Sequence, residues 1–155
     1  MYDTDKLKTE GWDKDAATGL AIIRRDGFAS MDAGKKVETL TTRPVTFKGK
    51  YLFVNVDCPD GQLKAEVLGR DGEVIEPFTI NNCQPVSSDK TLVTVTWKED
   101  LSKLSGKPVR IRFHLQNGSI YSFWVSPDKA GASYGYVGGG GPGFTGATDT
   151  VGNGE

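Results

Sequence analysis

The chain has 155 residues, with 19 Lys and Arg against 20 Asp and Glu, a net charge of -1. That length is one domain's worth and buries about 68–70% of its unfolded surface, so a core can form without disulfides or a metal. The balanced charge argues against nucleic acid or an anionic membrane as partner, since both select a basic patch, and no apolar run is long enough to span a bilayer.

Residues 1–18 are polar, with Tyr2 and Trp12 their only aromatic groups. The opening Met1-Tyr2-Asp3-Thr4-Asp5-Lys6 has no signal-peptide core, so the chain is expected to stay in the cell or to be a piece of something larger. Residues 19–126 then carry short apolar or alternating runs punctuated by Gly, Pro, Asn and Asp. The first candidate strand is Leu20–Arg25, which ends in a turn at Asp26-Gly27, and Val37–Thr42 follows. Tyr51–Val56 is a strong strand, with Leu52, Val54 and Val56 directed to the core. Leu63, Ala65 and Val67 alternate with polar neighbours, the mark of a half-buried strand. Asp71-Gly72 signals a hairpin, with short strands expected at Val74–Glu76 and Phe78–Ile80.

Thr91–Trp97 places Val93, Val95 and Trp97 on one face. Asp100–Leu104 alone has a helical pattern, one turn long and too short for a parallel crossover. Val109, Ile111, Phe113 and Leu115 alternate with Arg110, Arg112 and His114, and Ile120–Val125 closes the zone. Eight or nine short strands at this spacing indicate an all-β fold, an antiparallel sandwich or barrel. Residues 127–155 hold ten of the twenty glycines. They read as a glycine-rich terminal segment, parts of which Tyr134, Tyr136 and Phe144 can dock on the sandwich.

The strands around Gln116-Asn117-Gly118 suggest a hairpin. A three-residue loop pairs Phe113 with Tyr121, Ile111 with Phe123 and Arg110 with Trp124. A two-residue turn shifts the register by one and exchanges the faces of the second strand. On the three-residue register one sheet face displays Arg110, Arg112, His114, Ser122 and Trp124, joined from a neighbouring strand by Tyr51, Phe53, Asn55 and Asp57. Aromatic planes beside Arg and Asn suit a polysaccharide, ring faces stacking on sugar C–H surfaces and forked polar groups meeting hydroxyls. Trp124 is the expected platform, with Arg110, Arg112, His114 and Asn55 as polar ligands and Tyr51 and Phe53 beside them. The competing readings of that face are a domain contact and plain solvent exposure.

Catalysis has little support. Asp26, Asp57, Asp60 and Asp89 read as turn residues; a structural Ca²⁺ on such loop acids is the minor alternative, and no cofactor is expected. His114 is the only histidine, which argues against a nucleophilic triad. Cys58 and Cys83 read as free thiols or one optional disulfide, not a zinc site. Gly138–Gly143 lacks the Lys-Ser/Thr of a phosphate loop. Asn117-Gly118-Ser119 matches a glycosylation acceptor, but its turn role explains it. Adjacent Arg24 and Arg25 point to opposite sides of an extended chain and are expected to pair with Asp26 or Asp32.

Two stretches carry a family resemblance: Leu20–Ala33 (LAIIRRDGFASMDA), and Val109–Phe113 followed by Ile120–Phe123. Between them stand Gly49–Val56 and the Cys83-Gln84-Pro85 turn. Together, over about residues 19–125, they resemble the C-terminal β-sandwich of bacterial secreted proteins related to five-bladed-propeller glycoside hydrolases of the invertase and levanase type. The resemblance implies an antiparallel β-sandwich of jelly-roll-like form and a non-catalytic accessory module, extracellular or periplasmic as part of a larger protein. Two roles follow from it: carbohydrate binding, or packing against an adjacent glycoside hydrolase domain without a ligand. The family's catalytic residues have no counterpart here.

Overall fold

The computed structural model describes residues 18–137 and 144–150. The expectations for residues 1–17 and for Gly138–Gly143 lie outside them. Among the described residues seven strands form: β1 (Met31–Ala33), β2 (Glu38–Thr41), β3 (Tyr51–Asp57), β4 (Gln62–Leu68), β5 (Asp89–Val95), β6 (Arg110–Gln116) and β7 (Gly118–Ser126). One antiparallel sheet has the order β1-β7-β3-β5 and the other β2-β6-β4. The protein is thus an antiparallel β-sandwich, one of the two architectures that its strand spacing allows.

Consecutive strands always lie in opposite sheets, so every connection crosses the sandwich. The short strands expected at 74–80 do not form. That segment runs along β4 through an isolated Leu68–Val74 bridge and the bonds Ile75 N–H to Val67 O (2.8 Å) and Val67 N–H to Phe78 O (2.9 Å). It covers an edge that would otherwise be open to pairing.

The two inner faces meet as the alternation dictates. Leu52, Val54 and Val56 of β3 oppose Leu63, Ala65, Val67, Ile111 and Phe113 in one buried cluster. Cys58 and Cys83 sit in this cluster as free thiols. Burial pushes both thiol pKa values up. Trp97 caps the cluster, edge-on to Phe78 and donating its indole N–H to Ala65 O at 3.2 Å. The expected helical turn is a 3-10 turn, Leu101–Leu104, with Asp100 as N-cap to Ser102 N–H.

Two further expectations need correction. Leu20–Arg25 forms no strand. Leu20 and Ile22 stay in solvent, and the segment is fixed by side chains rather than by a ladder. The 107–125 hairpin is also absent: β6 pairs with β2 and β4, and β7 with β1 and β3. Phe113 and Phe123 do meet, with ring centroids 5.2 Å apart, but across the core between sheets. Asn117, at φ 46°, turns the chain from one sheet to the other.

Candidate functional site

Loss of the hairpin divides the expected single face between opposite outer surfaces. Arg110, Arg112 and His114 lie outside the three-stranded sheet. Tyr51, Phe53, Asn55, Asp57, Ser122 and Trp124 belong to the four-stranded sheet.

On the three-stranded sheet, β6 pairs Arg112 with Glu66 and His114 with Lys64 of β4. Arg112 Nη1 donates to Glu66 Oε1 at 3.1 Å, and His114 Nε2 lies 3.0 Å from the same oxygen. Arg112 Nε also donates to Thr41 Oγ1, and Arg110 Nη1 to Thr42 O. The Glu66 side chain is only 7% exposed, so its two partners compensate a carboxylate withdrawn from water. None of the outward positions of β2, β6 and β4 is a Phe, Tyr or Trp, so this face offers polar groups without a stacking plane.

On the four-stranded sheet, the terminal segments cover the expected platform. Trp124 stacks on its cross-strand neighbour Phe53, centroids 5.6 Å apart, and donates its N–H to Gly131 O at 2.9 Å. A Cβ on Gly131 would come within 2.9 Å of both Phe53 and Leu92, and its φ is +86°. Glycine therefore lets the chain lie flat on the rings. Ser126 Oγ–H continues the seam to Ala132 O at 2.7 Å.

Asn55, expected as a sugar ligand, is 1% exposed and used internally. Its Oδ1 accepts from Arg24 Nε and its amide donates to Arg25 O. The Arg24 guanidinium also donates to Val56 O at 2.9 Å, pairs with Asp89 and lies 4.8 Å from the Tyr121 ring centroid. A bulge supplies that ring. Asn55 pairs with Ser122 but Val56 with Ile120, leaving Tyr121 as the extra residue.

Arg25 points the other way. Its Nη2 donates to Asp149 Oδ2 at 2.9 Å, and its guanidinium lies over the Phe144 ring at 5.2 Å. Asp149 is fully buried and accepts from Ser133 N–H as well. The two arginines thus fasten both terminal segments to the sheet, a role that the sequence signalled only by their adjacency. Asp26 at 3.7 Å from Arg25 Nε is a weaker partner, and Asp32 is instead held low in pKa by the hydroxyls of Ser119 and Ser30.

Of the expected ligands, Tyr51 borders an open cavity. A cleft of about 370 Å³ lies at one end of the sandwich, lined among others by Lys50, Tyr51, Trp97, Lys98, Asp100 and Lys129. Among the described residues no group of three or more His, Cys, Asp or Glu is arranged to hold a metal ion. No family model, curated protein or solved structure matches the chain.

Proposed function

We propose that this chain is a non-catalytic module that seats against a second folded domain through the surface of its two fastened terminal segments. The observation that carries this reading is the distribution of exposed apolar groups. Leu20, Ile22, Ile23, Phe28, Tyr134 and Tyr136 lie on those segments, six of the nine large hydrophobics exposed among the described residues. Leu20, Ile22, Phe28 and Tyr136 are each more than 80% exposed. Scattered single apolar residues need no partner, whereas a concentration of them marks an interaction surface. Arg24 and Arg25 hold the segments in place, which lowers the ordering cost of docking. The occupant we infer is the catalytic domain of a glycoside hydrolase, the neighbour implied by the family resemblance. Polysaccharide binding on the Trp124 face is the weaker reading, because Phe53, Asn55 and Gly131 already occupy the groups it needs.

The test is the chain on its own beside a Leu20→Ser/Ile22→Ser/Phe28→Ser variant. The wild type should bind a hydrophobic dye and self-associate in sedimentation at tens of micromolar, on the order of ordinary transient contacts. The variant should do neither while keeping its melting temperature. A wild-type chain that stays monomeric and silent to the dye overturns the docking reading.

A further inference from the structure

The geometry points to a second, ligand-sized site: the cleft between Tyr51 and Trp97, which takes an acidic oligosaccharide, a chain of uronic acid units. Its volume of about 370 Å³ lies at the lower end of the range of about 300–1,000 Å³ usual for small-molecule clefts. Three ammonium groups border it, Lys50, Lys98 and Lys129, and among the described residues none of them forms an ion pair. The acids of the lining are otherwise engaged. Glu99 pairs with Lys103, and Asp100 caps the 3-10 turn, where the hydroxyl and amide of Ser102 hold its carboxyl ionised and low in pKa. Asp100 offsets the nearby Lys50, so the positive excess of the cleft is carried by Lys98 and Lys129, and it raises the local concentration of an anion.

Ring surface is the second ingredient. Trp97 turns its N–H to Ala65 O and an edge to Phe78, so what it offers the cleft is carbon. The Tyr51 ring stands at the mouth with the Lys50 ammonium 5.3 Å from its centroid. Thr94 and Thr96 add hydroxyl donors and acceptors along the same wall. Carbon faces for pyranose C–H groups, hydroxyls for hydroxyls and spaced lysines for carboxylates together describe a uronide rather than a neutral glucan. The site uses no residue of the proposed docking surface, so each reading can fail without the other.

The experiment is calorimetric titration of the full chain with tetragalacturonate in 150 mM NaCl, on the order of physiological ionic strength. Cellotetraose and inorganic phosphate are the parallel arms. Saturable binding of the uronide alone is expected. A Lys98→Ala/Lys129→Ala variant, altered only at exposed positions, should weaken it about tenfold or more. Tyr51→Ala should weaken it by about three- to tenfold. Three results overturn the proposal: no saturable heat with the uronide, equal binding of cellotetraose or displacement by phosphate, or unchanged affinity in the folded lysine variant.

Discussion

Arg24 shows how much one side chain can settle. Its guanidinium reaches Asn55, Asp89, the Val56 carbonyl and the Tyr121 ring. It joins a segment without strand structure to the central strand of a sheet. Removing it strands Asn55 Oδ1 at a site that is 1% exposed, and an unsatisfied buried acceptor costs about 1–3 kcal/mol. Arg24→Ala should therefore lower the unfolding free energy by about 2 kcal/mol, read by urea denaturation. Arg24→Lys should recover little, because one ammonium cannot reproduce the planar fork on three acceptors. Equal stability of wild type and Arg24→Ala would show that the segment is held by something else. The same contacts explain why Asn55 is withdrawn from solvent. The sequence places an amide on the outward face of a strand, but only the fold reveals that Arg24 and Arg25 cover it.

At the scale of elements, the decisive feature is the crossing from β6 to β7. Alternation directs Phe113 and Phe123 inward, and they do pack together. Alternation cannot tell neighbours within one sheet from neighbours across two, because both arrangements bury the same side chains. The crossing is set by backbone packing. A Cβ on Gly61, in the turn between β3 and β4, would lie 1.9 Å from Gln116 O and 2.4 Å from Asn117 O. A Cβ on Gly118 would meet Asp57 O and the Cys58 Cβ, each at 2.5 Å. The two crossings thus nest against each other only with glycine at both points. Gly61→Ala should cost about 2 kcal/mol through forced backbone displacement. Gly34→Ala, where nothing lies within 4 Å of the added carbon, should stay within about 0.5 kcal/mol. Similar urea midpoints for the two variants would refute this account of the crossing.

For the whole molecule, the buried thiols give stability a pH dependence. Cys58 and Cys83 are 0% and 2% exposed, and desolvation raises both pKa values above the ordinary thiol value. A raised folded-state pKa means that the unfolded chain loses its protons first. Stability from these groups is therefore fully present below the unfolded thiol pKa of about 8.5 and is lost as pH rises through and beyond it. Unfolding free energy measured from pH 7 to 9.5 should fall across the upper part of that range. The fall should flatten in a Cys58→Ala/Cys83→Ala variant, whatever that variant's absolute stability. A parallel decline in both proteins would assign the effect to other groups.

The sequence by itself determined the class of fold, most of the strands, the inward set of side chains and the single helical turn near Leu101–Leu104. These follow from local periodicity and local hydrogen bonding, which a single chain segment carries within itself. Tertiary structure alone decided that consecutive strands alternate between sheets, that Trp124 lies beneath Gly131, and that the double arginine fastens both terminal segments of the chain. It also brought Tyr51, Trp97 and Lys129 to one cleft. Those relations depend on which backbone surfaces approach closely enough to exclude a Cβ and on which polar groups lose water together, and neither is fixed until the whole chain has packed.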